Sequence, residues 1–163
     1  MKSIVVTAVI LSGSLMSSRV RAQLISPPAQ GYKAEWYKGS RWQNDSLRSG
    51  PTSAFFYSYT KDDDFLTADD EYSETLEFAI DSSFNSFVIT DSNLKTLNPR
   101  WKQYCYCSNC ADTVAIHEGR ITGRKITPSR WHLTCHLIVR ALRDQNRICS
   151  TIDIDTDFQL HQP

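Results

Sequence analysis

The stretch Trp131–Leu142, WHLTCHLIVRAL, limits what this chain can fold into more than any other segment. Counted in twos, Trp131, Leu133, Cys135, Leu137, Val139 and Ala141 share one face, as in a strand with one buried side. Counted in threes and fours, Trp131, Cys135, Ile138 and Leu142 share one stripe, as in a helix. The surroundings tip the reading. Thr127–Pro128 is a good helix start, because threonine can cap and proline in the first turn loses no hydrogen bond. The run is long for a strand, whose usual length is about 5–6 residues. Arg140, Arg143 and Arg147 near its end suit the negative pole of a helix dipole. The context therefore predicts a helix over residues 128–143.

Most of what precedes it reads as strands. Ala34–Trp42 mixes aromatic and polar residues, and Ser53–Tyr59 puts Phe55, Tyr57 and Tyr59 on one face. Thr75–Asp81 alternates with Leu76, Phe78 and Ile80 inward, and Ser86–Thr90 follows after a polar turn, which predicts a hairpin. Residues 61–74 are acidic and read as loop. Asn98–Pro99 breaks the chain. Trp101–Cys107, Thr113–Glu118 and Ile121–Ile126 are further strands, and Ile152–Phe158 a short last one. Several antiparallel strands with one apolar helix predict an all-β domain, a barrel with that helix packed outside it.

At the start, Lys2, the apolar run Ile4–Leu11 and the small residues of Val20–Arg21–Ala22 have the form of a secretion signal, so residues 1–22 are expected to be removed. The apolar run is too short to span a membrane, which takes about 20 residues. Residues 23–163 are then a single domain. Removing Lys2, Arg19 and Arg21 leaves fifteen basic against eighteen acidic residues, a balance that points away from nucleic acid. The charge is segregated: residues 62–91 hold ten acidic side chains and no basic one, whereas residues 95–147 hold ten basic and three acidic. Asp62–Asp64 and Asp69–Glu71 lack the spacing of a calcium loop, so that block reads as a solvated face.

Five cysteines, Cys105, Cys107, Cys110, Cys135 and Cys149, lie in the mature chain. In a secreted protein they are expected to form disulfides, and the odd one is free or joins a second chain. Asn44–Asp45–Ser46 is the one glycosylation sequon.

Several short motifs together resemble the lipocalin family, in its apolipoprotein D-like and arthropod pigment-binding branches. Trp36–Tyr37 resembles the first-strand Gly-x-Trp motif, with Ala34 in place of the glycine. Thr90–Asp91 resembles the Thr-Asp motif, with Ser92 where tyrosine usually follows. Tyr104-Cys-Tyr-Cys107, Gly123–Arg124 and Ile152–Asp155 resemble the later strands. The resemblance covers residues 32–158 and implies an antiparallel up-and-down barrel with an outer helix, shortened by two strands where the acidic segment stands. It also implies a bridge from Cys135 on the helix to Cys105 or Cys107. Since those two share a face, Tyr104 and Tyr106 would point inward.

The expected function is that of a secreted carrier for a small hydrophobic molecule such as a retinoid, bilin, carotenoid or fatty acid. Trp36, Phe55, Tyr57, Tyr59, Phe78, Phe87, Tyr104 and Tyr106 would line the barrel, Trp36 plugging its closed end. The alternative is a secreted disulfide-bonded β-rich module with a filled core that binds a host or cell-surface protein. His132 and His136, four apart, would share a helix face with the spacing of a metal pair, and His117–Glu118 would suit acid–base work. Neither has a completing ligand or catalytic motif. No cofactor fingerprint is present, so no metal, cofactor or enzymatic activity is expected.

Overall fold

The computed structural model describes residues 31–61, 72–105, 114–144 and 147–161. They form eight strands: β1 (Tyr32–Gln43), β2 (Ser46–Thr60), β3 (Tyr72–Asp81), β4 (Ser86–Thr90), β5 (Arg100–Cys105), β6 (Val114–Thr127), β7 (Arg130–Ala141) and β8 (Ile148–Leu160). One short helix, α1 (Ser92–Leu97), lies between β4 and β5. The strands make one mostly antiparallel sheet in the order β4-β6-β7-β8-β1-β2-β3-β5, which does not close. Its two antiparallel halves meet at a short parallel contact, Glu35 beside Gln159 and Trp36 beside Leu160. Among these residues no helix is long and apolar enough to cross a membrane.

The helix expected over residues 128–143 is a strand. β7 runs between β6 and β8, and from Trp131 to Ala141 every second residue is buried. Both neighbours are long, so β7 has hydrogen-bonding partners along its whole length. Alternation was the stronger signal because each face of β7 meets a different environment. The features that suggested a helix serve elsewhere. Thr127 Oγ1 accepts the Ser129 N–H (3.3 Å) and shapes the β6–β7 turn, the same local bond a helix cap would make. Arg140 forks onto Glu118 across the β6–β7 pair, at 2.8 and 3.0 Å.

Other expectations also change. Eight strands are present among the described residues, and four of them precede Asp91, the region where the resemblance implied a wall shortened by two strands. β3 and β4 are consecutive but do not pair, because β3 turns to β5 and β4 to β6. Thr113–Glu118 and Ile121–Ile126 belong to one strand, kinked at Ile116–Glu118, with Gly119 at φ 117°. A methyl group on Gly119 would run into the His136 carbonyl across the pair, so the backbones can approach only with glycine there. α1 ends on Asn98, left-handed, whose N–H bonds the Leu94 carbonyl.

The curled sheet packs its halves face to face. Phe55 on β2 stacks on Phe78 at 5.0 Å and meets Trp131, Phe158 and Phe87 of the other half at 5.6, 5.7 and 6.2 Å. Trp36 adds an edge contact to Trp131 at 6.4 Å, and its Nε1 donates to the Ser129 carbonyl. The Lys125 ammonium sits 5.4 Å from the Trp36 ring centroid, sealing this end with a cation–π contact.

Candidate functional site

The inner wall of β1, β2, β3 and β5 changes character row by row. Trp36, Phe55 and Phe78 stand side by side across three strands, each at most 3% exposed. The next row is Ala34, Tyr57, Leu76 and Trp101. The third is Tyr32, Tyr59, Glu74 and Gln103, all half-buried, with Tyr72 next along β3 on the same face. Alternation at period two puts these residues on one face, and the register aligns them. The wall thus goes from dry packed rings to a hydroxyl-rich, half-buried end.

The polar groups of that end hold one another. Tyr32 Oη and Thr156 Oγ1 are 3.1 Å apart, tying β1 to β8, and the Tyr32 and Tyr57 rings lie 6.2 Å apart. The Tyr59 and Tyr72 rings are also 6.2 Å apart. Tyr72 Oη donates to Glu74 Oε2 at 2.9 Å, and Trp101 Nε1 donates to the same oxygen at 3.3 Å. Glu74 has no cationic partner among the described residues. Burial, with the charge of Glu74 next, pushes the Tyr57 hydroxyl up to about 12, and burial with the bond to Glu74 pushes Tyr72 higher still. Both phenols therefore stay neutral, and since Tyr72 gives its one proton to Glu74, the Tyr57 hydroxyl is the one left to donate to a ligand.

The sequence-derived wall residues divide into groups. Trp36, Phe55, Phe78 and Phe87 pack ring against ring in the core. Tyr57 and Tyr59 line the hydroxyl-rich end. Tyr104 was expected to point inward, but it is 60% exposed, because Trp101 takes the inward face of β5 and parity turns Arg100, Lys102 and Tyr104 outward. Tyr106, Cys107 and Cys110 lie outside the described residues. Tyr32, Tyr72, Glu74 and Trp101 were missed as site residues. The signal for two of them was readable: Tyr72, Glu74, Leu76, Phe78 and Ile80 continue one alternation into the segment read as acidic loop.

Cys135 is free and buried, so the expected bridge to Cys105 or Cys107 does not form. On an inward position of β7 it packs as a small core residue, and burial pushes its thiol up to about 12. Cys149 is disulfide-bonded. Beside these, the Trp131 indole N–H is buried without a hydrogen-bond partner in the described structure.

His132 and His136 face outward, about 13 Å apart at strand spacing rather than on one helix face. His132 contacts Asp157 (3.0 Å) and Asp155 (3.2 Å), and His136 contacts Asp153 (2.6 Å). A cleft of about 430 Å³ lies on the outer face, between the β1–β2 hairpin tip, β3 and the α1–β5 connection. The tip turns through Asn44 and Asp45, both at positive φ, which places the Asn44 sequon on an exposed two-residue turn. Asp45 reaches Arg100 (2.7 Å) and Lys102 (3.1 Å), and Arg100 also pairs with the buried Glu77. Arg41, at the cleft, stands directly across the hairpin from Arg48, and neither has an ion-pair partner among the described residues.

Comparison with known proteins finds no match to any family model, any curated protein or any solved structure.

Proposed function

We propose that this chain is a secreted binding protein that carries a small, largely apolar or aromatic molecule at the tyrosine-lined opening of its curled sheet. One observation carries the reading: the inner wall passes from dry packed rings at Trp36, Phe55 and Phe78 to half-buried tyrosines at positions 32, 57, 59 and 72. Flat aromatic faces with a few fixed hydroxyls are what a small apolar ligand needs, area from the rings and orientation from the polar groups. The packed lower interior leaves the ligand at the mouth rather than deep inside. The resemblance to lipocalins supports the same class of function, with a barrel-like wall as its frame. The disulfide at Cys149 supports an oxidising compartment, as secretion requires.

The test is native mass spectrometry of protein from its source, followed by calorimetric titration of the released molecule. Tyr57→Leu and Tyr59→Leu should weaken binding about tenfold or more, since each removes an aromatic face and a hydroxyl. Absence of any saturable small ligand on folded protein would sink the reading.

The second reading is a module that binds an acidic macromolecule along the outer cleft. Arg41 and Arg48 favour it, because like charges directly opposite on a hairpin repel unless an anion lies between them. Its mark is salt-sensitive binding lost in Arg41→Ala and unchanged in Tyr59→Leu.

A further inference from the structure

Among the described residues, the inner wall at its tyrosine-lined end carries one charged group, Glu74, and none of them gives it a counter-charge. Glu74 stands in the third row, flanked by Tyr59 on β2 and Gln103 on β5. Both protein donors, Tyr72 Oη and Trp101 Nε1, use the same oxygen, Oε2. Oε1 has no hydrogen-bond partner among the described residues, and no lysine, arginine or histidine among them pairs with the carboxylate. Every other half-buried or buried acid on this half of the sheet has a cation: Glu35 has Lys33 at 3.0 Å and His161 at 3.3 Å, and Glu77 has Arg100.

The surroundings of Glu74 are aromatic. Tyr59 and Tyr72 lie with centroids 6.2 Å apart, Tyr32 and Tyr57 likewise, and Trp101 touches the carboxylate through its indole nitrogen. A ring face carries negative potential and attracts a cation placed over it, more strongly once water is excluded. A carboxylate between such faces adds a full charge and a free acceptor. A half-buried carboxylate that has hydrogen-bond donors but no cation is the group a cationic guest complements. A fatty acid or any other anion meets the opposite: Glu74 repels its head.

We infer that the opening selects an organic cation, an aromatic or aliphatic amine whose ammonium group sits against Glu74 Oε1 and among the rings of Tyr59, Tyr72 and Trp101. The inference rests on the carrier reading above and gives its ligand a charge. The hydroxyls of Tyr32 and Tyr57, farther along the wall, face the body of the guest. Trp101 and Tyr72 are positioning residues, because they fix one carboxylate oxygen and leave the other to the ligand.

The experiment is calorimetry on the full mature chain with three probes of one shape: tryptamine, 3-ethylindole and indole-3-propionate. Tryptamine should bind about tenfold or more tighter than neutral 3-ethylindole, and indole-3-propionate weaker than both. Glu74→Gln keeps an acceptor for Tyr72 and Trp101, so the wall should stand. In that variant tryptamine should lose its margin over 3-ethylindole, the two probes being compared on the same protein. Equal affinity of tryptamine and 3-ethylindole for the natural protein overturns the inference and leaves the carrier reading intact. A preference for tryptamine that survives Glu74→Gln also overturns it, because the cation is then held elsewhere. No binding by any of the three overturns this inference, and a chain that also carries no native ligand removes the reading beneath it.

Discussion

The ring of Phe87 lies on the backbone of Gly123, its direct partner across the β4–β6 pair, so closely that a methyl group there would overlap three ring atoms. Phe87 in turn contacts Phe55, Phe78 and Trp131, so one missing side chain on β6 lets an edge strand reach the centre of the core.

Gly123→Ala should therefore destabilise the protein by about 1–3 kcal/mol, the usual cost of overpacking a dense core. Combined with Phe87→Leu, which frees the space, the loss should be clearly less than the sum of the two. Urea unfolding of both single variants and the double measures this. Strict additivity would mean that ring and glycine do not share that space.

Cys135 should be inert in the native state. Its thiol is buried on β7 and pushed up to about 12, so almost no thiolate exists at neutral pH. A thiol reagent should label it only after denaturation, and a non-reducing peptide map should find Cys149 bridged and Cys135 not. Rapid labelling of folded protein at Cys135 would contradict the packing described for β7.

Arg100 should act as a clasp. It joins Asp45 of the hairpin tip to Glu77 of β3 and lies 6.0 Å from the Trp42 ring centroid. Arg100→Ala leaves Glu77, only 8% exposed, without its cation, and should cost about 1–3 kcal/mol. Arg100→Lys keeps the charge but cannot fork to both acids, so it should recover only part of the loss. Thermal unfolding of the two variants checks the order, and Arg100→Lys as damaging as Arg100→Ala would show that charge contributes nothing.

Acid should loosen the joint between β1 and the C-terminal end. Burial alone would raise the Glu35 carboxyl, but hydrogen bonds from Tyr37, Lys33 and His161 outweigh it and hold the group below its ordinary 4.5. A carboxyl lowered on folding adds stability that is full above its unfolded value and disappears as pH falls through the folded one. The urea midpoint should thus drop as pH falls below about 4.5, and less steeply in Glu35→Gln. Identical acid slopes in the two proteins would remove Glu35 from the account.

Several elements were readable from local pattern because local pattern decides them. Leu76, Phe78 and Ile80 alternate, and β3 buries them in that order. Ser86–Thr90 reads as a strand and is one. The second partner of each strand was not readable, because hydrogen bonding between strands is indifferent to sequence order. The Asp81–Ser86 turn looked like a hairpin, yet β3 pairs with β5 and β4 with β6. The binding wall was half legible for the same reason. Tyr57 and Tyr59 followed from alternation, but Glu74 becomes their neighbour only through the β2–β3 register.

By itself the sequence determined which side of each strand could be buried, since alternation of apolar and polar residues is a property of consecutive positions. It determined too that a cysteine would lie on an apolar face at position 135. Only the tertiary structure decided that Trp131–Ala141 is extended, because that segment satisfies both periods and the long strands β6 and β8 offer hydrogen bonds on both its edges. Only the tertiary structure, likewise, brings four tyrosines and Glu74 together on one wall, because they come from three strands whose register is set by packing farther along the sheet.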